Sequence, residues 1–107
     1  MPAHAEGPLS EGLQNALRLM SQGQLDSALA VTRQEEGISK DPRARLLEVR
    51  ILLAQKKYDE ALKSAETGVK TDATNPDFFY MRGAVEMSLQ RLSSAEQDLQ
   101  LTIRKRK

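Results

Sequence analysis

Apolar residues recur along the chain at helical rather than strand spacing. Leu13/Leu17/Met20, Leu46/Arg50/Leu53 and Tyr80/Ala84/Met87 are each spaced i, i+4, i+7, so each triplet occupies one face of an α-helix. No β-branched alternation appears, so the pattern predicts no sheet. The triplets follow one another at offsets of 33 and 34 residues, and other features keep the same step. Gln24-Leu25-Asp26-Ser27-Ala28-Leu29 returns as Lys57-Tyr58-Asp59-Glu60-Ala61-Leu62 and again as Arg91-Leu92-Ser93-Ser94-Ala95-Glu96. A bulky apolar residue precedes each Ala by three, and Ala16, Val49 and Gly83 recur upstream. An unrelated helical bundle has no reason to re-use this step, so the chain is three copies of one unit.

Each unit reads as two helices. The first helices are expected over 9–21, 42–55 and 76–89, the second over 25–36, 58–71 and 92–106. Asp41-Pro42 and Asn75-Pro76 set a capping side chain before a Pro, whose missing N–H costs nothing at the first helical position. Asp26, Asp59 and Glu60 fall in first turns of second helices, where acids complement the helix dipole. The breaks at 21–24 and 55–57 leave room only for tight antiparallel hairpins. A lone amphipathic hairpin cannot bury its apolar face, so neighbours must stack and share a core.

At 107 residues the chain is one domain by length, with 39% hydrophobic and 29% charged residues and a net charge of +1. There is no Cys, which removes disulfide scaffolds, thiolate metal sites and thiol nucleophiles together. His4 is the only imidazole, in a Pro/Gly/Ala-rich stretch where a solvated side chain is expected rather than a ligand or catalyst. Glu35-Glu36 and Asp59-Glu60 are adjacent acids that face different ways on a helix. Asp59–Lys63 and Glu66–Lys70 read as solvated i, i+4 helix support. No Gly-rich phosphate loop is present, and Ser residues have no base partner. The expectation is therefore a non-catalytic chain with no cofactor, no metal and no small-molecule substrate.

No stretch approaches the roughly 20 apolar residues of a membrane span, and Met1 to Gly7 lack the basic and apolar parts of a secretory signal. Ala3-His4-Ala5 resembles the small-residue motif of a cleavage site, but no apolar run precedes it. A cytoplasmic location is the default expectation, with a periplasmic or secreted one open if a leader was trimmed. Arg104-Lys105-Arg106-Lys107 is the one charge run. It suits a helix C-terminus, where cations meet the negative end of the dipole, and it lacks the aromatic interleaving of a nucleic-acid surface.

A helical hairpin of 33–34 residues with a fixed Ala early in its second helix resembles the tetratricopeptide repeat. Phe79, Arg82-Gly83, Ala95 and Leu99 carry the resemblance in the third unit, Tyr58 and Ala61 in the second, and Ala16, Gly23, Leu25 and Ala28 in the first. Gly12, Arg45 and Glu86 stand where the family's larger aromatic residues are usual. The resemblance implies an all-α fold, with antiparallel helix hairpins stacked as a right-handed superhelical α-solenoid. It divides the chain into a disordered tail over 1–8 and a three-repeat domain over 9–107, with units 9–41, 42–75 and 76–107.

Family members hold extended or helical peptides on the concave side formed by first helices. Carried over by register, that surface is Leu13, Leu17 and Met20, then Arg43, Leu46, Arg50 and Leu53, then Asp77, Tyr80, Ala84 and Met87. Leu and Met at this spacing also serve as core, whereas Arg50, polar inside the apolar run 46–54, points to an exposed groove. The positions of the clamp that some members use for acidic chaperone tails hold Leu13, Leu17, Leu47, Asp77 and Met81, so that ligand is not expected. The implied function is an adaptor, scaffold or assembly factor that binds a peptide or helix segment of a partner, with apolar side chains and an acidic group. Self-association through the Leu9/Leu13 edge, or binding of an anionic surface by the basic C-terminus, are the alternatives. Glu96 replaces the Leu29 and Leu62 of earlier units, and with Gln97, Asp98 and Gln100 it suggests a polar cap on the array.

Overall fold

A computed structural model describes residues 7–38 and 40–106; His4 and Lys107 lie outside them. Six helices follow one another: α1 (Glu11–Ser21), α2 (Leu25–Ile38), α3 (Pro42–Ala54), α4 (Tyr58–Thr71), α5 (Pro76–Ser88) and α6 (Leu92–Lys105). Each helix packs on the next in sequence, and α3 also touches α5. The result is an all-α solenoid of three antiparallel hairpins, a slab of 36 × 35 × 19 Å. Helix bounds depart from expectation by a residue or two. The first helix starts at Glu11 because Ser10 caps it, its side chain accepting from the Leu13 N–H. The second helix runs two residues further than expected, to Ile38.

Asp41 and Asn75 cap α3 and α5, accepting from the Arg43 and Asp77 N–H groups, each at 2.9 Å. The hairpin turns repeat one device. Gly23, Lys56 and Gln90, one per unit, all lie in the left-handed region, with φ of 79°, 61° and 61°. Each turn then returns an N–H to the last turn of its first helix: Gln24 to Leu19, Lys57 to Leu52 and Arg91 to Glu86, at 2.9, 2.9 and 2.8 Å. This is the glycine-type C-cap that reverses a chain after a helix. Immediately afterwards the backbone N–H groups of Ala28, Ala61 and Ala95 open the second helices, bonding to the carbonyls of Gln24, Lys57 and Arg91.

The small residues of the repeat are the closest-packed ones: Ala16, Ala28, Ala44, Val49, Ala61 and Ala65 are wholly buried. Side chains this small let helix backbones approach while Leu13, Ile51, Leu52, Phe78 and Val85 fill the space between. On α3 the seam residues Ala44, Leu47 and Ile51 are buried, and at the same register on α5 so are Phe78, Met81 and Val85. The corresponding α1 residues, Glu11, Gln14 and Arg18, are exposed.

Polar groups cross several of the helix seams. Within the third hairpin the buried Asp98 of α6 accepts from Arg82 of α5 in two parallel bonds, 2.8 Å from Nε and 2.7 Å from Nη2. Such a fork-to-carboxylate pair is among the stronger charge-assisted geometries. At the equivalent place in the second hairpin, Glu48 of α3 accepts from the Ser64 hydroxyl of α4 and from Arg33 Nε of α2 at 2.8 Å. Arg45 lies 3.7 Å from Glu48 and 3.6 Å from Glu36. The expected polar cap is thus only partly realised. Asp98 faces inward to Arg82, while Leu92 and Ile103 are exposed on α6.

Candidate functional site

The first helices α1, α3 and α5 line one concave groove of about 390 Å³. Its walls are Leu9, Leu13 and Leu17 from α1 and its approach, Arg43, Leu46, Leu47 and Arg50 from α3, and Asp77, Tyr80 and Met81 from α5. Arg106, just beyond α6, closes one end. The sharing of one face follows from register, since Leu13, Leu46 and Tyr80 stand one repeat step apart on successive first helices. Leu13 is only 1% exposed and forms the floor, whereas Tyr80 is 49% exposed and stands as a wall.

Seven of the residues anticipated from sequence meet here: Leu13, Leu17, Arg43, Leu46, Arg50, Asp77 and Tyr80. Met20, Leu53, Ala84 and Met87 do not line the cavity. They occupy the same helical faces one or two turns further along, and Met87 is exposed there. Leu9, Leu47, Met81 and Arg106 were not among the anticipated lining. Leu9 could have been read from the i−4 position before Leu13, and Leu47 and Met81 from their place beside Leu46 and Tyr80. Arg106 has no such local signal, because its position depends on how α6 returns across α5.

The charges around the groove differ in what holds them. Arg43 grips its own helix cap, with Nε and Nη2 2.8–3.0 Å from the Asp41 carboxylate, and gives Nη1 to the Gly7 carbonyl at 2.7 Å. That carboxylate is held below its ordinary range by the same bonds, although partial burial pushes the other way. Arg106 donates to Asp77 at 3.1 Å. Among the described residues Arg50 has no ion pair and no side-chain hydrogen bond, and it is exposed at the groove edge. An apolar trough with one uncommitted guanidinium suits an apolar segment that also carries a carboxylate.

Of the basic residues at the C-terminal end, Arg106 is engaged with Asp77, and the Lys105 ammonium sits 5.2 Å over the Phe79 ring. Arg82 lies 5.6 Å from the same ring, so Phe79 is flanked by two cations. The perturbed acids lie elsewhere. Burial pushes the Glu86 carboxyl up to about 7, helped by a hydrogen bond to Asp98 and by that group's charge. Glu36 is likewise raised to about 7 by burial and by the neighbouring charge of Glu48. Neither carboxyl lines the groove. Glu36 borders a separate cleft of about 360 Å³ with Lys40, Asp41, Arg45 and Asp72, a surface of mixed charge. Among the described residues no three His, Asp or Glu side chains are placed to hold a metal ion, and no helix is long and apolar enough to cross a membrane.

Residues 13–76 and 46–106 each match the family model of the tetratricopeptide repeat. No curated protein matches the chain. Among solved structures, it resembles SycD, the type III secretion translocator chaperone of Yersinia enterocolitica, seen in an alternative dimer. The identity is 23% and the TM-score 0.81, covering 89% of this chain and 73% of that one. PcrH in complex with the chaperone binding region of PopB is similar at 20% identity and TM-score 0.81, covering 91% and 83%. The second repeat domain of Spaghetti (RPAP3), bound to the HSP90 peptide SRMEEVD, follows at 21% and 0.72, covering 86% and 81%. At these identities the likeness is one of fold.

Proposed function

The chain belongs to the tetratricopeptide repeat family, and on that premise we propose that it is a protein-interaction module that captures a peptide or short helix of a partner in the groove of α1, α3 and α5. The observation that carries this reading is the groove itself: leucines and a half-exposed tyrosine around one guanidinium, Arg50, that no side chain among the described residues engages. Partner apolar side chains would displace water from Leu17, Leu46 and Tyr80, and a partner carboxylate would meet Arg50. PcrH and the Spaghetti domain are each seen with a segment of another protein, which supports the same mode of use here. The chaperone-tail clamp is replaced by Leu13, Leu17, Leu47, Asp77 and Met81, so an acidic tail of that kind is not the proposed ligand. Such a module works as an adaptor or assembly factor, and no catalytic role is proposed for it.

The test is selection of random peptides on the immobilised chain, followed by binding measurements on the winners. Enriched peptides should pair apolar residues with an Asp or Glu, and amide shifts on titration should gather on α1, α3 and α5. Arg50→Glu with Tyr80→Ala should weaken binding at least about tenfold while helical circular dichroism stays unchanged. Undiminished binding, or shifts gathered on another face, would refute the groove.

A further inference from the structure

The concave face continues past the cavity in a regular pattern. Leu13, Leu46 and Tyr80 form one row across α1, α3 and α5, and Met20, Leu53 and Met87 form another seven residues on. At the rise of an α-helix the two rows lie about 10.5 Å apart. Between them, four residues after the first row, stand Leu17, Arg50 and Ala84. Tyr80 and Met87 are exposed, whereas Leu17, Met20, Leu46 and Leu53 are half-buried and pack on the core beneath.

This face is poor in the groups that an extended chain needs. Among the described residues no Asn, Gln, Ser or Thr lines the cavity, and the row beyond it adds none. The side-chain acceptors are the Asp77 carboxylate, already engaged by Arg106, and the Tyr80 hydroxyl. The first helices spend their own N–H and C=O groups internally. An extended segment laid in the trough would therefore turn backbone groups toward Leu and Met side chains that cannot bond them, at the desolvation cost of each. A helix satisfies its own backbone and presents only side chains. Tyr80 is also the one aromatic residue lining the cavity, short of the aromatic lining on which polyproline segments dock.

Taking the groove as the binding site proposed above, we propose that its occupant is an amphipathic α-helix of a partner protein, laid along α1, α3 and α5. The helix carries apolar residues at j and j+7 and a carboxylate at j+3 or j+4. The seven-residue step between the rows is the same distance on the ligand helix. Residue j thus fills the row of Leu13, Leu46 and Tyr80 while j+7 meets Met87. The positions between face the middle row, where a carboxylate reaches the uncommitted Arg50 and an apolar neighbour covers Leu17 or Ala84.

Two libraries of peptides of about 14 residues, displayed against the full chain, separate helix from extended segment. The first is randomised at j, j+3, j+4 and j+7 in an Ala/Gln/Lys host of high helix propensity. The second is identical except for Pro at j+5, which breaks the helix and keeps the randomised positions. The first should yield binders with apolar residues at j and j+7 and Asp or Glu at j+3 or j+4, and the second none. Helical circular dichroism of the mixture should exceed the sum of its parts. Met87→Glu, outside the cavity, should weaken binding at least about tenfold with the chain's own helicity unchanged. Arg50→Glu should bind a peptide whose acid is replaced by Lys better than the original. Binders that need Arg50 and Tyr80 yet gain no helix, tolerate the Pro or ignore Met87→Glu overturn the helical occupant and leave the groove reading standing. Binders indifferent to Arg50→Glu with Tyr80→Ala, or no binder from either library, overturn both.

Discussion

Gly68 of α4 lies so close to the ring of Phe78 on α5 that a Cβ built there would stand 2.2 Å from Phe78 Cδ1. Both residues are buried. In an exposed helix, Gly→Ala stabilises by about 1 kcal/mol. Here the clash outweighs that gain, and Gly68→Ala should destabilise the fold by about 1–3 kcal/mol in chemical denaturation. Adding Phe78→Leu should recover part of the loss, giving a coupling energy in a double-mutant cycle. A Gly68→Ala protein as stable as the parent would show that this inter-repeat seam is loose.

The left-handed turn residues lead to an opposite expectation. Lys56 and Gln90 sit at φ 61°, where a Cβ costs about 1 kcal/mol that glycine avoids. Gly23 already holds the corresponding place in the first hairpin. Lys56→Gly and Gln90→Gly should therefore each raise stability by about 0.5–1 kcal/mol, despite the greater freedom of an unfolded glycine. Neither side chain lines the groove, so peptide binding should not change. Calorimetric melting of the two variants checks this directly.

The same comparison shows what a sequence carries openly. Asp41-Pro42 and Asn75-Pro76 announce helix starts because capping is local chemistry, and those helices begin where expected. The 33–34-residue step is equally legible, because each hairpin must meet its neighbour with the same small residues. Asp98 was not legible as an inward group. Its charge reads as solvent exposure until Arg82, 16 residues away, is known to face it. The groove was half-legible for a related reason. Helical periodicity names a face but not how far along that face three helices stay together, so Met20, Leu53, Ala84 and Met87 were included although the cavity ends before them.

Removing one member of the Arg82–Asp98 pair should cost more than replacing both. Asp98 is only 3% exposed, so Asp98→Ala leaves a half-buried guanidinium without its carboxylate. The expected loss is about 3 kcal/mol. Arg82→Met with Asp98→Leu removes both desolvated charges and should lie within about 1 kcal/mol of the parent. If each single substitution costs as little as the double, the pair is not coupled and the seam is held by packing alone. Urea unfolding of the three variants decides between these outcomes.

Glu86 ties stability to pH, and the sign follows from its environment. Burial first, then the hydrogen bond and charge of Asp98, raise its pKa from 4.5 to about 7, against the pull of Arg82 and Arg91. Between those two values the folded chain holds a proton that the unfolded chain has lost, so stability falls as pH rises through that window. Glu36, raised by burial and by Glu48, acts in the same direction. Glu48 and Asp98, held low by Arg33, Ser64 and Arg82, act in the opposite one. Their contribution is present above the unfolded carboxylate pKa and is lost as pH falls through their folded values. Maximum stability should therefore lie on the acid side of neutrality, with a higher melting temperature at about pH 5.5 than at about pH 8. Glu86→Gln keeps a hydrogen-bond donor toward Asp98 and carries no charge to desolvate. It should raise the melting temperature at about pH 8 by a few degrees and flatten the slope between the two conditions. A parent chain equally stable at both pH values, or a Glu86→Gln variant less stable at the higher one, would mean that this carboxyl is ionised and well solvated in the fold.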